Sequence, residues 1–324
     1  MTVASSAAPT LLRLDPDTGH VTARVHDSQI GCGPCGPNLW VSHGALWERA
    51  GADGSTMAIR ALASGKLIRT FAIPAGVTGL TVGFGAAWVV NPGIVTSSTV
   101  PTGRVERIDG LSGRIDATVR ISGDFRNGAI TASDDAIWVL DQDGTLTRID
   151  PTTNRVSGRF ATGALETFLL AAGAGYEWIC ECAGNHDLMR FDPSTRVAKR
   201  FRLPQMPLSW RTSAVIPRTF LVGVDPRTRL LWILGALAAT LVPWDTEAGQ
   251  QAAPSIGLDG RPIQAALARG RIWIAAGTVV DRVWLATGKR DTIAVPRGMN
   301  ASGVAVDPLT DTVWVANSTA LGPT

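Results

Sequence analysis

One tryptophan recurs seven times in the same setting, as the third or fourth residue of a short apolar strand. The seven positions are Trp47, Trp88, Trp138, Trp178, Trp232, Trp273 and Trp314. Their spacings are 41, 50, 40, 54, 41 and 41 residues, which matches repeats that each fold into a four-stranded sheet of about 40 to 50 residues. The chain is therefore expected to be a repeat protein.

A second pattern follows most of these tryptophans: a strand that ends in Arg, an apolar residue and Asp, and then a turn. The clear copies are TLTRIDPTTNRV at 145–156, LMRFDPSTRV at 188–197 and VERIDGLSGRI at 105–115; weaker copies lie at 241–249 and 281–289, and AIRALASGK near Ala61 lacks the Asp. Asp before Pro is turn chemistry, because Pro presets φ and the Asp side chain caps the turn. With strands called A to D in each repeat, we place the Trp on B and the Arg-x-Asp at the end of C. We expect the Trp to fill the wedge between sheets rather than form an aromatic cage, and the Arg to lie beside a neighbouring strand.

The two ends of the chain each hold half a repeat. The segment at 11–25 reads as strands C and D without a Trp strand before it, whereas the repeat of Trp314 has A and B and then stops. Strand alternation in TLTRID and HVTARV, with Gly and Pro every 8 to 12 residues, argues against helices. We predict an all-β, seven-bladed β-propeller over 1–324 as a single domain, with the last blade shared between about 11–25 and 303–317.

The repeat Trp-Val-x-Asn followed by Arg-Ile-Asp-Pro-x-Thr-x-x-Val resembles the YVTN-type and streptogramin lyase-like seven-bladed β-propellers. The likeness runs from about Leu11 to Asn317. It implies the fold, but that superfamily mixes binding proteins, sensor domains and a few enzymes. The lyases carry their catalytic His, a nearby Glu and a metal on late blades, whereas this chain has only His20, His26, His43 and His186. No catalytic residue is carried over, so we expect no cofactor, with Mg²⁺ or Ca²⁺ only if the chain is lyase-like.

In a propeller the D–A and B–C loops surround one mouth of the channel, where ligands favour concave surfaces. Loop residues predicted on that face are Arg126, Asn127, Trp210, Arg211, Arg261, Arg297 and Asn300. Convergent guanidinium groups bind oxyanions through their planar forks, and Trp210 beside an Arg can stack on a ligand. The alternatives are that the arginines only solvate a surface and that Trp210 folds over the blade.

Three residues are weak catalytic candidates on the same face: His186, Glu166 and Glu181. His186 can serve as a general base or metal ligand, or simply lie solvated in a hairpin. No nucleophile motif accompanies them.

The cysteines leave several interpretations open. Cys32 and Cys35, in GCGPCGP, are candidates for a local disulfide. The spacing of Cys32 and Cys35 matches that of thioredoxins, but their segment lacks the preceding strand and following helix in which redox cysteines lie. A zinc site formed by these two residues with Cys180 and Cys182 would have to join distant blades. We therefore predict no metal.

Composition excludes two partner classes. Charged residues make up 18% and the net charge is +3, so no basic footprint for nucleic acid exists. The longest apolar run, Leu230 to Val242, is too short to span a bilayer. MTVASSAAPT shows no signal peptide, but the even number of cysteines and the few lysines keep an extracytoplasmic location open. Our leading hypothesis is a monomeric, non-catalytic propeller that binds a small anionic molecule or a protein partner. The alternatives are a streptogramin lyase-like or hydrolase-type enzyme, and a sensor or scaffold domain of a longer extracytoplasmic protein.

Overall fold

A computed structural model describes residues 10–26, 39–51, 54–92, 102–126, 128–164, 169–181, 187–203, 219–235 and 239–319. All regular structure in these ranges is β-strand, in 29 strands. They contain no helix, and so none that could cross a membrane. The chain divides into two compact units, which we call unit 1 (Met1–Ile73 with Ile256–Thr324) and unit 2 (Pro74–Ser255).

Unit 1 holds three four-stranded sheets, numbered as blades 1, 6 and 7. Blade 1 consists of β3 (Leu39–Ser42), β4 (Ala45–Ala50), β5 (Thr56–Ala61) and β6 (Leu67–Ala72). Blade 6 consists of β24 (Gln264–Ala268), β25 (Arg271–Ala276), β26 (Val279–Trp284) and β27 (Arg290–Ala294). Blade 7 consists of β28 (Met299–Val306), β29 (Val313–Thr319), β1 (Thr10–Leu14) and β2 (Val21–His26). The short β23 (Ile256–Gly257) precedes blade 6.

Unit 2 holds blades 2 to 5. Blade 2 is β7 (Gly79–Gly83), β8 (Ala86–Asn91), β9 (Thr102–Asp109) and β10 (Ile115–Ser122). Blade 3 is β11 (Ala129–Ala132), β12 (Ile137–Leu140), β13 (Thr145–Asp150) and β14 (Arg155–Ala161). Blade 4 is β15 (Leu169–Gly173), β16 (Tyr176–Glu181), β17 (Asp187–Asp192) and β18 (Val197–Arg202). Blade 5 is β19 (Thr219–Val224), β20 (Leu230–Gly235), β21 (Thr240–Asp245) and β22 (Gln250–Gln251).

Every blade is antiparallel and follows the order A-B-C-D along its sheet. Blade 7 is assembled from both ends of the chain, because β1 pairs with β29 and places Arg13 opposite Trp314. The protein is thus an all-β, seven-bladed β-propeller, as the repeats predicted.

All seven recurring tryptophans are buried. Those of blades 6 and 7 in unit 1 and of blades 2, 3 and 4 in unit 2 lie in the cores between neighbouring blades. Trp314 of blade 7 packs with Leu46 of blade 1, and its indole N–H donates to the Leu62 carbonyl of that blade at 2.8 Å. Trp138 of blade 3 packs with Ile179 of blade 4 in the same way. In these five blades strand B therefore turns its Trp toward the next blade, and the residues on either side of the Trp lie on the opposite face of the sheet.

The Arg-x-Asp motif joins one blade to the next. The arginine side chains of blades 6, 7 and 4 donate to backbone carbonyls in the turn between strands C and D of the following blade, namely Arg282 to Pro16, Arg13 to Ala63 and Arg190 to Thr246. The Asp closes its own turn, as predicted: the Asp192 carboxylate accepts from the N–H groups of Ser194 and Thr195 at 2.8 and 3.2 Å. These bonds lower the pKa of Asp192 to about 2, with the Ser194 side-chain bond as the largest cause.

Blade 1 departs from this motif by a shift of one residue. Ile59, not Arg60, lies opposite Trp47, and Ala61 takes the place of the turn Asp, since Gly65 N–H donates to its carbonyl. Because a one-residue shift moves a side chain to the other face of a sheet, Arg60 enters the buried face. There its Nε lies 2.8 Å from Oε2 of Glu48, with both side chains at most 1% exposed.

Candidate functional site

Strand A begins and strand B ends at the same end of each blade, so the D–A and B–C loops meet there. In unit 1 this end carries two of the predicted arginines, Arg261 just before β24 and Arg297 just before β28, and both are exposed. Within the part of the chain that the structure describes, neither forms an ion pair or a side-chain hydrogen bond. Asn300, on β28 opposite Ser318, is half-buried. We call this end of unit 1 the arginine end.

A glutamine that the sequence did not single out closes the inner edge of the arginine end. Gln264 Nε2 donates to the Leu39 carbonyl at 2.7 Å, and the Leu39 N–H donates back to Gln264 Oε1 at 3.3 Å. These residues open the A strands of blades 6 and 1, and β28 packs against both strands. The amide thus bridges across blade 7 and is itself buried. Its partner lies 225 residues away and is a backbone group, so no sequence pattern marked it.

A second buried amide lies where β29 ends. Asn317 is fully buried, its Nδ2 donates weakly to the Thr10 carbonyl at 3.5 Å, and its Oδ1 has no hydrogen-bond partner among the described residues. Thr10 in turn contacts Nδ1 of His26 at 3.2 Å. Three polar residues of blade 7 therefore line the seam where the two ends of the chain pair.

Two acidic groups of unit 1 are already paired with basic side chains. Asp259 accepts from Thr292 and Arg290, both at 2.8 Å, and these two bonds, in that order, lower its pKa. Glu48 is held by Arg60. Asp259 and Glu48 are therefore compensated by other basic side chains, whereas Arg261 and Arg297 have no acidic partner among the described residues.

Arg126 differs from those two arginines, because an acid of its own loop holds it. Its guanidinium forms an ion pair with Asp124, and the side-chain bond from Arg126 lowers the pKa of Asp124. Nearby, burial raises the pKa of Asp141, whose Oδ1 accepts from the Thr145 N–H at 2.7 Å. Arg126 is consequently less available to an external anion.

Glu181, one of the three weak catalytic candidates, is buried in blade 4. Its carboxylate accepts from Arg200 Nε at 2.7 Å and Nη2 at 3.0 Å, and Arg200 also donates to the Gly163 carbonyl at 2.9 Å. Asp187 lies 3.8 Å from the same guanidinium. These contacts tie β16 to β18 and to the end of blade 3.

The remaining predicted residues lie outside the described residues: Asn127, Trp210, Arg211, Glu166, His186, Cys32 and Cys35. Cys180 is described, is buried and is disulfide-bonded. Since the chain has four cysteines, its partner is Cys32, Cys35 or Cys182. Among the described residues, no group of three or more His, Cys, Asp or Glu side chains is arranged to hold a metal ion.

No family model matches the chain, and no curated protein matches it. Solved structures do match. Selenomethionine-substituted virginiamycin B lyase from Staphylococcus aureus covers 90% of this chain and 97% of its own, with a TM-score of 0.60 and 15% identity. A catalytically inactive variant of that lyase with quinupristin covers 95% and 99%, with a TM-score of 0.61 and 15% identity. The predicted resemblance to streptogramin lyases is confirmed at the level of the fold.

Proposed function

We propose that this chain is a ligand-binding propeller that takes a small anionic molecule at the arginine end of unit 1. The observation that carries the proposal is the pair of exposed arginines, Arg261 and Arg297, on adjacent blades, neither of which has an acidic partner among the described residues. A guanidinium binds a carboxylate, phosphate or sulfate through two parallel N–H donors.

A thermal-shift screen with citrate, succinate, inorganic phosphate and sulfate tests this proposal. A bound anion raises the melting temperature, because a ligand that binds only the folded state stabilises it by an amount that grows with the ratio of its concentration to its Kd. The shift should shrink in Arg261→Ala and in Arg297→Ala and vanish in the double variant. Arg24→Ala is the matched control, since Arg24 is an exposed arginine on the outer strand of blade 7. Shifts that survive the double variant, or that fall equally in the control, would refute the site.

An enzymatic function is the second candidate, and the fold shared with virginiamycin B lyase favours it. We propose to test it by incubating the protein with quinupristin in the presence of Mg²⁺ and following the compound by chromatography and mass spectrometry. Elimination leaves the summed mass of the products unchanged, whereas hydrolysis adds one water. His186→Ala and Glu166→Gln should each abolish turnover if the weak catalytic candidates carry it. Quinupristin recovered intact at every enzyme concentration would contradict this candidate.

A further inference from the structure

One blade carries an acid at a position that is apolar in the other six. The residue before the recurring Trp is Leu46, Ala87, Ile137, Leu231, Ile272 or Val313 in blades 1, 2, 3, 5, 6 and 7. Blade 4 has Glu177 there, and this glutamate is only 4% exposed. A carboxyl group in such a place needs a partner or a proton, because an unpaired buried charge is costly.

The contacts place Glu177 in the interface between blades 3 and 4. Glu177 and Ile179 share one face of β16, and Ile179 packs with Trp138 of blade 3. Within the described residues, the Glu177 carboxyl forms no hydrogen bond or ion pair, and its Oε2 is fully enclosed. The indole N–H of Trp138, in the same interface, is also without a partner there. The interface therefore encloses two polar groups that have no hydrogen-bond partner among the described residues.

The charges around Glu177 do not compensate it. On the neighbouring strands β15 and β17 the residues opposite it are Ala172 and Phe191, which carry no charge. From blade 3, Asp135 and Arg148 face it, but they pair with each other at 2.8 Å. Burial is the largest cause that raises the pKa of Glu177 well above its usual value; Asp135 raises it further and Arg148 opposes the shift.

We propose that the interface between blades 3 and 4 is a proton-dependent switch, in which neutral Glu177 holds β16 against blade 3 and its ionisation loosens that contact. The sign follows from linkage: the folded state keeps the proton to higher pH than the unfolded chain does. Stability therefore falls as the pH rises from the unfolded pKa of glutamate, about 4.3, to the folded pKa, and is constant beyond it. Since β16 also carries Cys180 and Glu181 at its other end, loosening it disturbs the B–C end of blade 4.

The test compares the wild type with Glu177→Gln and Glu177→Leu, the second being the residue that blades 1 and 5 carry. Melting temperatures are measured from pH 5 to pH 9. Relative to the wild type, both variants should gain stability as the pH rises. Asp134→Asn, which neutralises an exposed carboxylate in the turn before β12, should run parallel to the wild type. Leucine keeps the test informative if the glutamine amide itself disrupts packing.

Two further measurements locate the effect. Hydrogen exchange, corrected for intrinsic rates, should show lower protection of β16 at high pH in the wild type but not in Glu177→Leu, with β25 unchanged as the internal reference. Infrared difference spectra of the wild type against Glu177→Gln should show a protonated carboxyl band that persists above the ordinary titration range of glutamate and is replaced by a carboxylate band as the pH rises further. A constant offset between variants and wild type at every pH, or a carboxylate band that appears over the ordinary titration range of glutamate, would overturn the proposal.

Discussion

Replacing Arg60 with isoleucine in blade 1 should destabilise unit 1 strongly, because it leaves Glu48 without the partner that the structure shows. The two groups are 2.8 Å apart and at most 1% exposed. At an effective dielectric constant of about 20, their attraction is about 6 kcal/mol. The desolvation of two ions costs several kcal/mol each, so the net contribution of the pair is small. Removing one partner should therefore cost about 3–5 kcal/mol.

The repeat itself supplies the compensating substitution. Both positions are apolar in the other six blades. In blades 2 to 7 the equivalents of Glu48 are Val89, Val139, Ile179, Ile233, Ile274 and Val315. In the same order, the equivalents of Arg60 are Ile108, Ile149, Phe191, Trp244, Val283 and Leu14. The double variant Glu48→Val/Arg60→Ile should thus fall between the wild-type stability and a gain of about 1–4 kcal/mol. Because the loss in the single variant is absent from the double variant, the two positions should be strongly coupled, as residues in direct contact are.

The assay is urea unfolding of the wild type, both single variants and the double variant, followed by tryptophan fluorescence and circular dichroism. Glu247→Gln serves as the exposed control, because Glu247 and its partner Arg229 are 57% and 56% exposed; it should change stability by less than about 1 kcal/mol. A double variant no more stable than the weaker single variant would refute the reasoning, as would an Arg60→Ile loss no larger than that of the control.

Three further outcomes are expected. Gly249→Ala should lower the free energy of unfolding by about 3 kcal/mol, because the backbone φ is +68° and a Cβ there would meet Phe201 at 2.0 Å. Gly163→Ala is the matched control: its φ is +73° but no atom lies within 4 Å of the added Cβ, so it should cost only about 1 kcal/mol. The wild type should lose melting temperature on acidification below about pH 4 in part because Asp192 becomes protonated. The Asp192 carboxylate, with a folded pKa of about 2, contributes stability that is present above the unfolded pKa and lost as the pH falls. The loss should therefore be smaller in Asp192→Asn. Peptide mapping without reductant should recover Cys180 in a disulfide with Cys32, Cys35 or Cys182, and a free Cys180 thiol would contradict the structure.

The blade count and the strand order could be predicted because each blade buries the same Trp and repeats the same turn chemistry. The one-residue shift in blade 1 could not, since AIRALASGK aligns with the motif through Arg60 when only letters are compared. The strand pairing shows that Ile59 occupies the motif position. A shift of this kind changes which face a side chain occupies, and only the hydrogen-bond register reveals it.

Two tryptophans that do not belong to the recurring seven, Trp244 and Trp284, show the same limit of prediction from sequence. Trp244 lies opposite Leu231 and fills the core between blades 4 and 5. Trp284 ends β26, where most blades have the turn Asp, and Arg282 stacks 4.3 Å from its ring centre. Both are substitutions inside the repeat rather than additions to it, but a search by spacing alone separates them from it.

The mouth residues were harder to predict than the blades for a physical reason. The residues of the repeat are those through which each blade contacts its neighbour, so the repeat pattern predicts the interfaces between blades. Loop residues are free to differ between blades. Arg126 illustrates this: its loop also supplies Asp124, which holds it, while Arg261 and Arg297 have no such neighbour among the described residues. Whether an arginine is free depends on side chains brought together by folding.

Departures from the repeat are therefore the most informative positions in this chain. A residue that departs from the type shared by the other blades is retained where something other than packing favours it. For each position, the equivalent residues of the other six blades show which type packing favours. By this criterion Glu177 ranks above the loop arginines, because its six equivalents are apolar and its carboxyl is enclosed. The buried pair of Glu48 and Arg60 is the opposite case: two departures that compensate each other, so that replacing both restores the repeat. Comparing Glu177→Leu with the Glu48→Val/Arg60→Ile double variant separates the two, since the first removes an enclosed acid without a counterion and the second removes an ion pair as a unit.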